Sequence, residues 1–162
     1  MKIVYLGIGT NLGKREENLK QAVTKIEEYI GMVLKFSSIY ETAPWGFQSK
    51  DEFLNMVVQV ETKLIPAELL ERLLMIESLL GRVRGEKHFS SRLIDIDILL
   101  YADLIIEEEN LKIPHALLHE RKFVLVPLCE IASDVIHPVL KKSVADLLEI
   151  CGDKSEVRKF LR

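Results

Sequence analysis

The chain has 162 residues, of which 48% are hydrophobic and 29% charged, and its formal net charge is −3. This size and composition predict one globular domain spanning residues 1–162, large enough to bury a core without disulfides. The mildly acidic balance argues against a broad nucleic-acid surface, and no apolar run is long enough to cross a bilayer. Because a strand pattern begins at once and no leader pattern precedes it, we expect a cytoplasmic protein with no membrane partner.

The first half of the chain predicts the order strand, helix, strand, strand, helix. Residues 2–8 predict a strand, with a turn over Gly9–Gly13, and residues 32–41 and 53–63 predict two further strands around a loop. We expect Gly31 to end the first helix and Gly81 the second, which starts at Pro66. The apolar positions at helical spacing are Leu19, Ala22, Val23, Ile26 and Ile30 in the first helix, and Leu69, Leu70, Leu73, Leu74 and Leu80 in the second.

The second half predicts one more strand after residue 93 and then mainly helices, over residues 114–131 and 143–151. Together with the first half this gives βαββαβ, a ferredoxin-like α+β fold with a mainly antiparallel sheet and extra C-terminal helices. The two cysteines, Cys129 and Cys151, lie in the helical segments without metal or redox spacing, which predicts buried free thiols.

The most informative segment is the basic loop of residues 82–92 together with the strand that follows it. Asp95 and Asp97 alternate with apolar residues, so both carboxylates lie on one face of the strand while Ile94, Ile96 and Ile98 fill the other. Paired carboxylates are ligands for hard divalent cations, and arginine forks match phosphate oxygens. The segment therefore indicates a metal-assisted site for a nucleoside triphosphate. The same alternation is also typical of a half-buried strand with a solvated face, so this motif alone leaves both interpretations open.

The chain closely resembles the 6-hydroxymethyl-7,8-dihydropterin pyrophosphokinase family over nearly its whole length. The resemblance rests on the order and spacing of several motifs rather than on any single one. They are Gly9–Gly13, Ser37–Thr42 with Pro44 and Gly46, Phe53–Asn55, Glu77, Gly81–Arg84, Arg92–Asp97, Ile113–His115, Arg121, Phe123 and Pro127–Leu128. The resemblance implies transfer of the diphosphate of ATP to the pterin hydroxymethyl group, with release of AMP. It also implies a ferredoxin-like core and a monomer whose partners are these two small molecules and no nucleic acid.

The same resemblance implies a role for each matched position. Two Mg²⁺ ions would be held by Asp95 and Asp97, and the catalytic set would be Arg82, Arg92, Asp95 and Asp97. The ATP site would comprise Glu77, Arg82, Arg84, Arg92, Ile98, Leu111, Lys112, Ile113, His115 and Arg121. The pterin site would comprise Thr42, Ala43, Pro44, Trp45, Gly46, Phe53, Asn55, Asp95 and Phe123, with the two phenylalanines stacking on the ring. We further expect the 82–92 loop to close over the bound substrates.

Simpler interpretations of single residues remain open at this level. From the residues alone, His115 is a buried histidine satisfied by the backbone, Glu77 a solvated carboxylate at a helix end, and both phenylalanines are core. At the level of function, the rivals are a non-catalytic ferredoxin-like ligand-binding module and a metal-dependent nucleotide phosphohydrolase or nuclease. The nucleotide product formed from ATP and the reduced pterin would separate these alternatives.

Overall fold

The structure is a computed structural model that describes residues 1–42, 52–81 and 93–160. Its elements follow the predicted order. The first half contains β1 (Lys2–Thr10), α1 (Arg15–Tyr29), β2 (Gly31–Phe36), β3 (Tyr40–Thr42), β4 (Phe53–Thr62) and α2 (Pro66–Leu79). The second half contains β5 (Asp95–Tyr101), β6 (Ile106–Glu108), β7 (Leu111–Ile113), a 3₁₀ turn (Leu118–Glu120), α3 (Lys122–Ala132), α4 (Val144–Ile150) and β8 (Val157–Lys159).

The main sheet has the strand order β5-β1-β4-β3-β8, and β2 also pairs with β4 beside β3. All the pairings described are antiparallel. With β2 and β3 counted as one position, the order of the βαββαβ core is that of a ferredoxin-like fold. The predicted fold class, a mainly antiparallel α+β core with extra C-terminal helices, is confirmed.

Each face of the sheet packs against its own set of helices. The first core lies between the sheet and α1 and α2, and it includes Leu6, Ile26, Leu73 and Ile96, which are all nearly inaccessible to solvent. The second core lies on the opposite face, under α3 and α4, and its largest members are Tyr5, Val57, Leu99, Leu100, Leu118, Leu125, Leu128 and Leu147. The members of this second core that belong to the central strands include Tyr5 of β1, Val57 of β4 and Leu99 of β5.

A β-bulge places two successive residues of β5 in the second core. The register of β5 against β1 shifts between Tyr5 and Leu6, so that Leu100 lies opposite Tyr5 while Ile98 lies opposite Leu6. Because one extra residue on a strand reverses the alternation beyond it, Leu99 and Leu100 both enter the second core, whereas Tyr101 returns to the first.

The prediction of a single strand over residues 32–41 was wrong, because residues 37–39 separate β2 from β3. The reason is the hydroxyl of Ser37. Its Oγ accepts a hydrogen bond from the Val57 amide at 2.9 Å, so a side chain serves as the acceptor for the neighbouring strand. The Ser37 amide donates to the Val57 carbonyl at 2.9 Å, so β4 stays satisfied across the break.

Both glycines expected to end helices lie close to the ends of those helices, but only one acts as expected. Gly81 follows α2 with φ +100°, the left-handed conformation that favours glycine. Gly31 instead starts β2, where a Cβ would lie 2.1 Å from the Glu61 carbonyl oxygen, so close strand approach is what requires glycine there. The predicted turn also begins later than expected, because Gly9 and Thr10 belong to β1.

The C-terminal third contains less helix than predicted. Residues 114–131 hold only a 3₁₀ turn followed by α3, and Ile113–Pro114 is a cis peptide. An apolar run does not by itself separate a helix from a buried irregular segment. Cys129 and Cys151 are free thiols as predicted, but both are only partly buried. Within residues 1–42, 52–81 and 93–160, no helix combines the length and apolar character needed to cross a bilayer.

Candidate functional site

Beyond the second core, the same face of the sheet carries a row of polar side chains. In register across the strands lie Asp95 on β5, Gly9 on β1, Asn55 on β4 and Tyr40 on β3. Directly opposed residues share a face, so Asp95, Asn55 and Tyr40 point to the same side of the sheet. Asp97 lies one rung further along, opposite Gly7. The predicted placement of both aspartates on one face, with Ile94, Ile96 and Ile98 buried on the other, is confirmed.

Gly7 and Gly9 of β1 lie between these polar residues, and because they have no side chains the surface of the sheet is flat there. A Cβ on Gly9 would approach the Asn55 Oδ1 atom to 2.7 Å, a distance that real Cβ atoms do not tolerate. A Cβ on Gly7 would make only ordinary 3.4 Å contacts with Leu99. Gly9 is therefore the glycine that the position of Asn55 requires.

Asn55 is a buried amide held from one side. Its Nδ2 donates to the Thr42 Oγ1 at 3.3 Å, and Thr42 is itself buried at the end of β3. Thr42 pairs directly with Phe53, which is only partly buried at the start of β4. The structure thus brings together Thr42, Phe53 and Asn55, three of the residues predicted to form the pterin site.

His115 lies next to the aspartates at the edge of β5. Its Nε2 is 4.0 Å from the Asp97 Oδ2, and its backbone amide donates to the Leu99 carbonyl at 3.0 Å. Burial lowers the pKa of the imidazole, the charge of Arg121 acts in the same direction, and the charge of Asp95 opposes them. The His115 Nδ1 accepts a hydrogen bond from the Leu117 amide at 3.2 Å, and its Nε2 is the ring nitrogen nearest to Asp97.

Arg121 and Phe123 lie at the start of α3, on the same side of the sheet. The Arg121 guanidinium carbon is 5.7 Å from the centre of the Phe123 ring, within range of a cation–π contact. The charges of Arg121 and Asp95 both act on the His115 imidazole, so the start of α3 lies near the aspartates of the polar row.

Glu77 is buried, so the interpretation as a solvated carboxylate at a helix end was wrong. Its Oε2 accepts a hydrogen bond from the Ile96 amide at 2.8 Å. Ile96 lies on β5, an edge strand of the sheet. The Glu77 carboxylate of α2 therefore serves as the acceptor for an amide on the open side of that strand.

The remaining residues of the predicted ATP site divide between the core and the surface. Ile98, Leu111 and Ile113 are buried in the first core, so their side chains are structural and only their backbone groups are available to a ligand. Lys112, between the last two on β7, is exposed.

Seven predicted site residues lie outside the described part of the chain. They are Arg82, Arg84 and Arg92 from the basic loop, and Ala43, Pro44, Trp45 and Gly46 from the segment before β4. The predicted closure of the 82–92 loop concerns the same undescribed residues.

Thr10 and Asn18 contribute to the site although sequence reasoning did not select them. The Thr10 hydroxyl donates to the Leu93 carbonyl, and the Asn18 amide donates to the Thr10 Oγ1 at 3.2 Å and to the Leu12 carbonyl at 2.8 Å. These bonds fix the chain two residues before Asp95. Thr10 belongs to a motif recognised in the sequence, but its partner is 83 residues away, which no local pattern reveals.

The donor set of the polar row is suited to a hard divalent cation. Asp95 and Asp97 present carboxylates on one face of one strand, and the Asp97 side chain is 39% exposed, which leaves it open to a ligand from solvent. Fold and site together define a ferredoxin-like α+β protein with an open acidic and polar site on one face of its sheet.

The particular family follows from comparison with known proteins. The family model for 7,8-dihydro-6-hydroxymethylpterin-pyrophosphokinase (HPPK) matches residues 5–133. The chain belongs to this family. It is 42% identical over 146 residues to the 2-amino-4-hydroxy-6-hydroxymethyldihydropteridine pyrophosphokinase of Aquifex aeolicus, covering 90% of each chain. The enzyme of the same name from Bacillus subtilis is 46% identical over 134 residues, covering 82% of this chain and 80% of that one.

Longer proteins contain the same unit. The chain is 42% identical to 146 residues of the folic acid synthesis protein fol1 of Pneumocystis carinii, which cover 90% of this chain and 20% of that protein. Among solved structures, wild-type HPPK-DHPS of Plasmodium falciparum superposes with a TM-score of 0.75 at 20% identity, covering 92% of this chain and 43% of that chain. At that identity the superposition supports the fold alone, and it agrees with the ferredoxin-like core.

Proposed function

We propose that the chain catalyses the reaction for which its family is named, transfer of the intact β,γ-diphosphate of ATP to 6-hydroxymethyl-7,8-dihydropterin. The hydroxymethyl oxygen forms a bond to the β-phosphorus, the bond from that phosphorus to the α,β-bridging oxygen breaks, and AMP leaves. The hydroxyl proton is released. The observation that carries the proposal is the row on one sheet face that joins the carboxylates of β5 to the Asn55 amide across Gly9.

The carboxylates mark the nucleotide end of the row. Asp95 and Asp97 would hold two Mg²⁺ ions, which when bound neutralise charge on the triphosphate. His115 lies beside Asp97, so its imidazole offers a hydrogen bond at this end of the row. Arg121, close to the Phe123 ring, supplies positive charge to the phosphates.

The rest of the ATP site is proposed from the sequence. Arg82 and Arg92 would bind the phosphates and stabilise charge in the transition state, and Arg84 would line the nucleotide site. The adenine would lie against the backbone of Ile98 and Leu111–Ile113, including Lys112. Glu77 supports this side by holding the edge of β5 through the Ile96 amide.

The opposite end of the row is the proposed pterin site. Asn55 offers both a donor and an acceptor, which matches the amide-like edge of a pterin ring, and Thr42 holds its orientation. Phe53 and Phe123 would stack on the two faces of the ring. Asp95 lies nearest to the hydroxymethyl group in this arrangement, and Ala43, Pro44, Trp45 and Gly46 complete the proposed pocket.

No protein nucleophile is required, because the attacking oxygen belongs to the pterin. The protein's contribution is orientation of two substrates and stabilisation of charge, which dominate catalysis of phosphoryl transfer. We propose a monomeric, cytoplasmic enzyme consisting of one domain over residues 1–162.

The decisive experiment identifies the nucleotide product. Purified protein with Mg²⁺, ATP and the reduced pterin should release AMP, and chelation of Mg²⁺ should stop the reaction. Asp95→Asn and Asp97→Asn should each lower kcat/KM by about 100-fold or more, since each removes a charge that acts on the triphosphate. Asp103→Asn, in the exposed turn after β5, is the matched control.

Other products would contradict the proposal. Release of ADP or inorganic phosphate without the pterin would indicate a phosphohydrolase. Binding of both small molecules without any turnover would indicate a ligand-binding module.

A further inference from the structure

The C-terminal arm, defined here as residues 152–160, contacts both sides of the proposed pterin site. It lies beyond residue 133, where the match to the family description ends. The arm begins after α4 and ends with β8, the edge strand next to β3. Its contacts are specific at each end.

The first contact is at the start of α3. The Asp153 Oδ2 accepts a hydrogen bond from the Lys122 amide at 3.0 Å, and its Oδ1 accepts from the Ser155 amide at 2.9 Å. The first amides of a helix have no partner within the helix, and the N-cap residue Arg121 provides no side-chain cap here. Asp153 therefore caps α3 from a position 31 residues later in the chain. Phe123 is the second residue of that helix.

The second contact is at the start of β4. Arg158 lies 2.5 Å from the Glu52 Oε2 and 3.4 Å from the Glu41 Oε1, through one guanidinium nitrogen. Glu41 and Glu52 directly precede Thr42 and Phe53, the two paired residues at the ends of β3 and β4.

A third set of contacts continues the second. Val157 pairs with Thr42 across β8 and β3, and the Phe160 amide donates to the Ile39 carbonyl at 2.8 Å. Arg15 of α1 reaches the same place, where it donates to the Glu52 carbonyl at 2.7 Å. The ends of β3 and β4 are thereby fixed from both the arm and α1.

We propose that the C-terminal arm is a positioning element that sets the separation of Phe53 and Phe123, with Asp153 and Arg158 as its positioning residues. The inference rests on the proposed function, in which these two rings hold the pterin. Phe53 and Phe123 belong to different elements, and only four residues of the arm lie between Asp153, the anchor of one, and Arg158, the anchor of the other. The contacts of Arg158 with Glu41 and Glu52 lie beside Thr42 and Phe53 of the proposed pterin site, so the loss of Arg158 should weaken binding of the pterin more than binding of ATP. Asp153 caps the helix that follows Arg121, a proposed ATP residue, so its loss should affect binding of both substrates.

The test compares the two anchors with matched controls outside the site. Asp153→Ala should weaken pterin binding roughly five- to tenfold, because the loss of one helix cap displaces the start of α3 and with it Phe123. Arg158→Ala should also weaken pterin binding, and it should change ATP binding less than about twofold. Ser143→Ala removes the cap of α4, where Ser143 accepts from the Asp146 amide at 3.1 Å, and Arg72→Ala removes an exposed arginine bonded to the Tyr29 carbonyl. Both controls should leave pterin binding unchanged.

Affinities for the reduced pterin and for the non-hydrolysable ATP analogue are measured by calorimetry, together with Tm and the KM for each substrate. Asp153→Asn, which keeps an acceptor for the Lys122 amide, should restore most of the pterin affinity. In the double variant the loss should be smaller than the product of the single losses, because releasing either anchor releases the same arm.

Three outcomes would overturn the role of the arm. They are pterin affinity unchanged in both anchor variants, equal losses for the pterin and ATP in Arg158→Ala, and equal losses of pterin affinity in the Ser143→Ala control at the same Tm. If Asp153→Ala does not fold, Arg158→Ala decides alone, since an exposed ion pair contributes little to stability. Failure of the unsubstituted protein to bind the pterin would instead contradict the proposed function.

Discussion

Asn55 is a polar residue in an otherwise apolar stretch of β4. It is buried within β4, between Leu54 and Met56, although asparagine is a poor strand former. Its amide has one hydrogen bond described, to Thr42, whereas an amide can make four. A local conflict of this kind is expected where function rather than folding selects the residue.

We expect Asn55→Ala to weaken pterin binding by about 1–3 kcal/mol, because the buried ring edge would lose its partners. ATP binding should change little. The control is Gln59→Ala, which lies on the same strand and face and removes a 2.7 Å hydrogen bond to the Tyr5 hydroxyl under the second core. Calorimetry with each substrate is the measurement, and equal losses for both would place the pterin elsewhere.

Gly9 and Gly7 form a matched pair on β1. Gly9→Ala should lower pterin affinity and the free energy of unfolding by about 1–3 kcal/mol each, because its Cβ would force the Asn55 amide to move. Gly7→Ala should change the free energy of unfolding by less than about 1 kcal/mol, since its Cβ fits against Leu99. Denaturant unfolding and pterin titration of both variants provide the comparison. If Gly9→Ala changed neither the pterin affinity nor the free energy of unfolding, the position of Asn55 would not depend on a glycine at position 9.

At the scale of elements, Glu130 joins α3 to the break between β2 and β3. Its carboxylate accepts from the Ser38 amide at 3.0 Å, from the Ser38 hydroxyl at 2.9 Å and from the Tyr40 hydroxyl at 2.7 Å. Burial opposes ionisation of Glu130, but the hydrogen bonds from Tyr40 and Ser38 and the charge of Lys159 outweigh it, so its pKa is lowered. Burial and the neighbouring Glu130 raise the pKa of Tyr40 to about 12.

The lowered pKa of Glu130 sets a pH window for its contribution to stability. A carboxylate with a lowered pKa stabilises the fold above its unfolded pKa, and this stabilisation is lost as the pH falls through the folded pKa. Glu130→Gln should therefore lower the free energy of unfolding by about 1 kcal/mol at pH 7, allowing for its partial exposure. The difference should shrink below the ordinary glutamate pKa of 4.5. The measurement is urea unfolding from pH 7 to pH 3, with Glu149→Gln on the exposed side of α4 as the control. If the difference in the free energy of unfolding grew as the pH fell, Glu130 would not stabilise the fold through its ionised form.

The elements that sequence reasoning predicted are those whose hydrophobic period is long and unbroken. β1, β4, β5, α1 and α2 each repeat their pattern over several residues, and the Asp95–Asp97 alternation is local to one strand. The break at Ser37 was missed because its cause is a hydroxyl bonded to Val57, 20 residues away. β8 was missed because three residues carry no period, and its pairing partner lies on β3.

The same distinction holds for the site. The residue types at Asp95, Asp97 and Asn55 carry chemistry that a single sequence displays, and the resemblance to a family assigned them roles. The residue pairs that hold the site in place could not be predicted in this way, because they come together only on folding. They are Thr10 with Leu93, Asp153 with Lys122 and Glu130 with Tyr40. An ionisable residue on a surface segment looks the same whether or not it braces a distant element.

At the scale of the whole molecule, the two cores should have different effects on activity. The first core, under α1 and α2, is on the opposite face of the sheet from the site, whereas the second core shares its face. Leu73→Ala and Leu128→Ala remove equally buried leucines from the two cores, and each should lower the free energy of unfolding by about 2–5 kcal/mol.

Only Leu128→Ala should also weaken pterin binding under conditions where both variants remain folded, because Leu128 holds α3 and hence Phe123 against the sheet. Denaturant unfolding and pterin titration at low temperature measure the two effects. If Leu73→Ala weakened pterin binding as much as Leu128→Ala does, a cavity in the first core would also disturb the site on the opposite face of the sheet.

The sharing of single strands by site and core restricts how the protein can change in length. On β4 the side chains of Phe53 and Asn55 face the site and that of Val57 enters the second core; on β5 Asp97 is followed at the same spacing by Leu99. Deleting one residue between Asn55 and Val57 would move the amide to the opposite face of the sheet. Natural insertions and deletions should therefore fall in the connections between strands and leave these intervals unchanged. An alignment of relatives with varied loop lengths would test this, and it would make the spacing of these residues a stricter signature of the fold than their identities.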